Sequence, residues 1–108
     1  MTFNELAQRF DQTNSGTDAF KFFYRDAFAL MKGDRDNAGI YFLAGVAAQS
    51  FVRTYEDQGI TTEFADAAKA TMSALNAKLL TALASEPAQR LKLLGEAACD
   101  YQLDVHDF

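Results

Sequence analysis

The apolar positions of this chain recur every three or four residues, which is the spacing of one face of an α-helix. The clearest case lies at about residues 18–32, where six positions follow this spacing: Phe20, Phe23, Tyr24, Ala27, Phe28 and Met31. The same spacing predicts helices at about 3–11, 36–58, 62–84 and 85–108. No stretch shows the sustained alternation of a β-strand bounded by turn residues, so the pattern predicts an all-α fold.

Residues that begin and end helices stand where this pattern requires them. Thr2 and Glu5 have the spacing of a capping box at the first helix. Gly33 follows the second helix, where glycine is a common stop. Ser85 is expected to cap the last helix, and Pro87 stands in its first turn, where a missing N–H costs nothing.

Short connections between these helices predict one domain over residues 1–108, an antiparallel helical bundle of four long helices plus a short N-terminal helix. The short helix is expected to cover one end of the four-helix core. The last helix is expected to bury a seam with alternating spacings of three and four residues: Leu91, Leu94, Ala98, Tyr101, Val105 and Phe108.

The third predicted helix is apolar on two sides, which sets it apart from the others. One side carries a broad apolar face: Ile40, Leu43, Ala44, Ala47, Phe51 and Tyr55. Phe42 and Val46 lie nearly opposite, beside Arg53, and Phe22 is similarly off the main stripe of the second helix. Such a helix is either the buried centre of the bundle or is covered by another molecule. The second interpretation predicts a partner surface at Phe22, Phe42, Val46 and Arg53, because aromatic residues beside arginine are typical of binding hot spots.

Composition and charge narrow the function classes. The chain has 108 residues, of which 49% are hydrophobic and 23% charged, as in an ordinary globular protein. The formal net charge is -5 and no run of basic residues occurs. Binding to nucleic acid or to an anionic membrane surface needs clustered lysine and arginine, so neither is expected. The acidic balance instead favours solubility or a basic protein partner.

Three acidic residues of the last helix fall at i, i+4 and i+8: Glu96, Asp100 and Asp104. They form a ridge opposite the predicted apolar seam. A solvated helix face explains them, and so does a docking surface for a basic partner.

The segment Gly33–Gly39, GDRDNAG, resembles the front of a calcium loop in spacing only. Ala38 stands where a third oxygen ligand is needed, and Gly45 stands where such a loop has its bidentate glutamate. The segment is better explained as a helix stop followed by a helix start, with Asp34 or Asp36 as the N-cap.

No cofactor or catalytic group is predicted elsewhere. His106 is the only histidine and Cys99 the only cysteine. On a helix, seven residues separate their positions by roughly 10 Å, too far to share one metal ion directly. A single cysteine forms no internal disulfide, and neither a secretory signal nor a membrane-length apolar run is present, so we expect a cytoplasmic protein.

Two functional hypotheses remain. The first is a small acidic non-enzymatic protein that acts through protein–protein contacts, of a regulatory, chaperone or immunity type, as a homodimer or with a basic partner. The alternative is a small-molecule or cofactor-binding bundle whose apolar pocket is lined by aromatic residues: Phe20, Phe23, Tyr24, Phe28 and Phe51.

Overall fold

A computed structural model describes residues 1–106 and 108 of the chain. Within these residues the chain forms five α-helices, one 3₁₀ turn and no β-strand, which confirms the all-α prediction. The elements are α1 (Phe3–Gln12), α2 (Thr17–Gly33), the 3₁₀ turn Arg35–Asn37, α3 (Ala38–Tyr55), α4 (Thr62–Leu83) and α5 (Pro87–Asp104).

The most extensive helix contact is the antiparallel hairpin of α2 and α3. Phe28 near the end of α2 lies against Gly45 of α3, and Lys21 near the start of α2 forms an ion pair with Glu56, just past the end of α3. The second hairpin, α4 and α5, is also antiparallel, since Lys78 bonds Asp100 while Thr71 lines a cavity with Val105. The two hairpins form the predicted bundle of four long helices.

Helix α1 does not cover an end of this bundle, as the sequence had suggested, but lies lengthwise between α2 and α4. Against α4, the hydroxyl of Ser73 donates to Asp11 at 2.5 Å, and the ammonium of Lys69 donates to the carbonyl of Thr13 at 2.5 Å. Four α1 residues are buried: Phe3, Leu6, Ala7 and Phe10. A helix apolar on one face needs a groove along its whole length, and an end of the bundle offers none.

Aromatic rings make up the centre of the core. Phe20 and Phe51 stack with their centroids 4.1 Å apart, and Phe10 meets Phe20 edge-on at 5.2 Å. Phe108 joins them at 5.2 Å from Phe51, after the chain leaves α5 at Asp104 in extended conformation. The prediction of one helical seam through Phe108 was therefore wrong.

The seam of α5 also differs from its prediction at Leu91, which is exposed, whereas Ala97 is the most buried residue of this helix. Helix α5 contacts both α4 and α3, and within it the small side chain of Ala97 is 1% exposed.

The helix ends follow the predicted chemistry in part. The capping box of Thr2 and Glu5 is present in both directions, and Pro87 occupies the first turn of α5. Ser85 does not cap α5, because its hydroxyl donates to the carbonyl of Thr81 at 2.7 Å instead. Neither Asp34 nor Asp36 caps α3, since a 3₁₀ turn intervenes and the helix follows Asn37.

Candidate functional site

One side of α3 remains exposed or half-buried in the folded chain. Its residues follow each other at helical spacing and are called here the α3 stripe: Phe42, Val46, Gln49 and Arg53. Phe42 is 54% exposed, whereas Ala44, Ala47 and Ala48 on the other side of the helix are fully buried. The structure thus brings together three of the residues that the sequence predicted as a partner surface: Phe42, Val46 and Arg53.

The ring of Phe42 packs against a second aromatic ring, that of Phe28 on α2. The ring of Phe28 lies 6.4 Å from that of Phe42, centroid to centroid. Phe28 itself lies on Gly45, where a methyl group would come within 2.6 Å of its Cδ1 atom. The absence of a side chain at Gly45 therefore lets two aromatic rings pack along the α2–α3 groove. A large ring held this way loses little conformational entropy on binding.

The far end of the α3 stripe is charged. Arg53 is exposed there, one turn from the ion pair between Lys21 and Glu56. The hydrogen bond with Glu56 is the main cause that raises the pKa of Lys21 above its ordinary value. The stripe is thus apolar at Phe42 and cationic at Arg53.

Phe22 is exposed but belongs to a different surface. It is 59% exposed on α2 and lies one helical turn from Asp26. Asp26 accepts a hydrogen bond from Arg9 of α1 at 2.5 Å, so this side of α2 faces α1. Phe28 is on the side of α2 that faces α3. Phe22 and Phe42 therefore do not form one continuous groove.

The acidic ridge, Glu96, Asp100 and Asp104, follows the contact between α4 and α5. Asp100 forms an ion pair with Lys78 of α4 at 3.0 Å, while Glu96 and Asp104 are exposed. Both partners of this pair are half exposed, so water screens it and it stabilises the fold little. The ridge and the α3 stripe are separate surfaces.

Sequence reasoning missed a polar network at the end of the bundle, called here the Asp34 network. The Tyr41 hydroxyl donates to Asp34 Oδ2 at 2.6 Å, and the Asn37 side-chain amide donates to the same oxygen at 2.9 Å. Arg90 donates to Asn37 Oδ1 at 2.9 Å and to the carbonyl of Ser85 at 2.9 Å. The spacing i, i+3, i+7 of Asp34, Asn37 and Tyr41 was the only sequence signal.

This network links the turn between α2 and α3 to the turn between α4 and α5. Its hydrogen bonds shift two pKa values in opposite directions. The bond from Tyr41, followed by that from Asn37, lowers the pKa of Asp34. Burial, followed by the bond to the Asp34 carboxylate, raises the pKa of Tyr41 to about 12. Both shifts favour the same pair of states, an ionised Asp34 that accepts the hydrogen bond of a neutral Tyr41.

The aromatic residues of the predicted pocket mostly fill the interior themselves. Phe20, Phe23 and Phe51 are at most 1% exposed and pack against other rings. A cavity of about 750 Å³ lies elsewhere, beside Asp34, and one of about 310 Å³ lies between the starts of α3 and α5.

Over residues 1–106 and 108, no group of three metal-ligating side chains converges. In the same part of the chain, every helix is too short or too polar to cross a bilayer. Comparisons with protein-family models, with curated proteins and with solved structures find no match to this chain.

Proposed function

We propose that this chain is a non-enzymatic protein of a regulatory, chaperone or immunity type, which acts through protein–protein contacts and associates with itself through the α3 stripe. The observation that carries the proposal is the exposure of Phe42, 54%, on an aromatic support formed by Phe28 over Gly45. An exposed aromatic side chain on a rigid helix next to arginine is the common form of an interface hot spot.

The order of side chains along the α3 stripe suits a two-fold arrangement. When the two-fold axis of a symmetric dimer runs perpendicular to α3, the same surface meets itself and the two α3 helices cross antiparallel. Phe42 and Arg53 are eleven positions apart, about 16 Å along the helix. An antiparallel crossing midway between them places Arg53 of one copy over the ring of Phe42 of the other. A guanidinium over an aromatic face contributes about 0.5–2 kcal/mol.

The acidic ridge gives the proposed dimer a surface for a second, basic partner. Glu96 and Asp104 are exposed on α5, away from the α3 stripe, so they stay accessible when two α3 helices meet. Exposed charges of one sign raise the rate of encounter with an oppositely charged partner, and salt weakens this effect. A basic protein is therefore the proposed second partner. With one exposed cysteine, Cys99, we place this role in the cytoplasm.

The proposal is tested by the absolute mass in solution, measured by light scattering on a sizing column. Wild type is expected at twice the chain mass of 11.9 kDa. Phe42→Asp is expected at the monomer mass with its helical circular dichroism retained, because the changed side chain is exposed in the folded chain.

Leu103→Asp serves as the matched control. Leu103 is 67% exposed on α5, so the change places the same charge at an exposed apolar position outside the α3 stripe. This variant is expected to keep the wild-type mass. A monomeric wild type contradicts self-association, and a Phe42→Asp variant that unfolds assigns Phe42 to the stability of the chain and not to an interface.

A further inference from the structure

The contacts between α1 and α4 fix how the two helices lie against each other. Asp11 near the end of α1 accepts the hydroxyl of Ser73, and Lys69 bonds the backbone just past the end of α1. Asn4 near the start of α1 lines the cavity beside Asp34 together with Leu80. The two helices are therefore antiparallel, and the middle of α1 lies over the part of α4 between Ser73 and Leu80.

The middle of this contact on α4 is a buried amide. Four residues of α4 follow each other at helical spacing and share the side that faces α1: Lys69, Ser73, Asn76 and Leu80. Asn76 is 2% exposed. Neither its amide nitrogen nor its amide oxygen has a hydrogen-bond partner among the described residues.

The residue of α1 that covers this amide is Ala7. Asn4, Ala7 and Asp11 follow at i, i+3 and i+7, so they form the edge of α1 that faces α4. Ala7 is the middle residue of this edge, as Asn76 is between Ser73 and Leu80, and it is 4% exposed. A methyl side chain neither donates nor accepts a hydrogen bond. The docked helix thus excludes water from the amide of Asn76 and gives it no bond in return.

An amide of this kind weakens the docking of α1 more than the rest of the fold. It loses its bonds to water when α1 is docked and regains them when α1 leaves. The connection to α2 is the four residues 13–16, and Gly16 there has φ 142°, a conformation that residues with side chains rarely adopt. Helix α1 is thus a terminal element on a short joint, and its release leaves both helix hairpins in place.

We infer that the groove between α2 and α4 is a helix-binding site, of which α1 is the resident and autoinhibitory occupant. We call it the α1 groove. The partner that it fits is an amphipathic helix with the buried apolar residues of α1, at the positions of Phe3, Leu6 and Phe10, and with a hydroxyl or amide side chain in place of Ala7. That side chain bonds Asn76, which α1 itself leaves unpaired. The α1 groove is separate from the α3 stripe, so this inference does not depend on self-association.

The test uses the full chain with Leu6→Asp, which places a charge on the buried face of α1 and leaves the groove residues of α2 and α4 unchanged. The probe is a fluorescein-labelled peptide of residues 1–13, followed by fluorescence anisotropy. Saturable binding to Leu6→Asp is expected. Much weaker binding to wild type is expected, because the tethered α1 competes at an effective concentration on the order of millimolar.

A peptide with Ala7→Ser distinguishes recognition of Asn76 from apolar packing alone. Its hydroxyl lies opposite the amide of Asn76, so it is expected to bind about three- to tenfold more tightly than the unchanged peptide. A Gln8→Ser peptide is the matched control, since Gln8 is exposed on α1, and is expected to bind no more tightly than the unchanged peptide. The advantage of Ala7→Ser is expected to disappear when Asn76→Leu is added to the Leu6→Asp chain.

Hydrogen exchange of the wild-type chain tests the release of α1 directly, and it decides the matter if Leu6→Asp does not fold. The amides of residues 7–12 are expected to exchange through an opening that leaves the amides of α3 protected. Ala7→Ser in the full chain is expected to slow this exchange about three- to tenfold, and Gln8→Ser is expected not to slow it. The inference is overturned if folded Leu6→Asp does not bind the peptide, if the Ala7→Ser peptide has no advantage, or if the α1 amides exchange only together with those of α3.

Discussion

Asn76 is the one polar side chain that is fully buried in the described part of the chain, at 2% exposure. Asn76 lies in α4 at helical spacing from two buried residues, four positions after Met72 and three before Leu79. Neither its amide nitrogen nor its amide oxygen has a hydrogen-bond partner in this part of the chain. Such a group loses its bonds to water and gains none within the protein. The burial of Asn76 could not be predicted from the sequence, since an asparagine is more often exposed on a helix than buried in a core.

Replacing Asn76 with leucine is therefore expected to stabilise the fold. Leucine is close in size and needs no partner, so the free energy of unfolding is expected to rise by about 1–3 kcal/mol, measured by urea denaturation. Asn4→Leu on the exposed side of α1 is the control, with an expected change within about 0.5 kcal/mol. A loss of stability in Asn76→Leu would mean that its amide is satisfied in solution.

The raised pKa of Tyr41 makes the free energy of unfolding depend on pH in the alkaline range. Its pKa in the fold is about 12, above the ordinary value of 10.0. Below pH 10 both states hold the proton; between pH 10 and 12 only the unfolded chain releases it, so the fold loses stability as pH rises. The expected loss is on the order of 2 kcal/mol.

Tyr41→Phe is expected to show a smaller drop in unfolding free energy between pH 10 and 12, measured by urea denaturation at each pH. Its stability at pH 7 is also expected to fall by about 1.5–3 kcal/mol, because Asp34 loses a donor to its charge. Tyr24→Phe leaves the Asp34 network intact and should keep the wild-type drop. If the unfolding free energy of Tyr41→Phe and of wild type fell equally between pH 10 and 12, Tyr41 would not be the group that causes the loss.

At the scale of the elements, sequence patterns predicted where the helices lie along the chain, but not how α1 packs or what caps α3. The spacing of apolar residues and the Thr2–Glu5 capping box lie within a few neighbouring positions, so they are readable locally. The place of α1 between α2 and α4 depends on long-range packing, which no local pattern contains. The cap at α3 failed for a similar reason, because Asp34 bonds Tyr41 two helical turns away.

Two helix glycines give an opposed pair of predictions. Gly45 in α3 has the Phe28 ring where a methyl group would lie, whereas Gly95 in α5 has no atom within 4 Å of that position. Gly95→Ala is expected to raise the free energy of unfolding by about 0.5–1 kcal/mol through helix propensity. Gly45→Ala is expected to lower it by about 1 kcal/mol, because overpacking outweighs that gain.

Thermal denaturation of both variants in parallel measures this difference. Gly45→Ala is further expected to weaken self-association, since moving Phe28 removes the support of Phe42. Equal stabilisation of both variants would show that the Phe28 ring is free to leave Gly45, and that Phe42 is not held in place by it.

At the scale of the whole molecule, the sequence indicated residues of the candidate surfaces, but not which of these residues share a surface in the fold. The two-sided pattern of α3 indicated Phe42, Val46 and Arg53, and all three lie on the α3 stripe, with Phe42 and Arg53 exposed and Val46 half-buried. Phe22 had the same kind of signal, yet it lies on the side of α2 that faces α1. A helical pattern gives the direction of a side chain around its own axis, but not which neighbour covers that direction.

The cavity beside Asp34 and the Asp34 network belong entirely to this largest scale. They join residues from α1, both hairpins and two turns, so no segment of the sequence contains them. The acidic ridge, by contrast, was readable from one helix, and only its partial neutralisation by Lys78 needed the fold.

The location of the proposed interface is tested most directly by cross-linking. Val46→Cys and Leu103→Cys are each made in a Cys99→Ser background, which leaves one thiol per chain, and are treated with a short bismaleimide. We expect a covalent dimer from Val46→Cys, at the centre of the α3 stripe, and little from Leu103→Cys on α5. Equal yields from both, or a dimer from Leu103→Cys alone, would contradict an interface on α3.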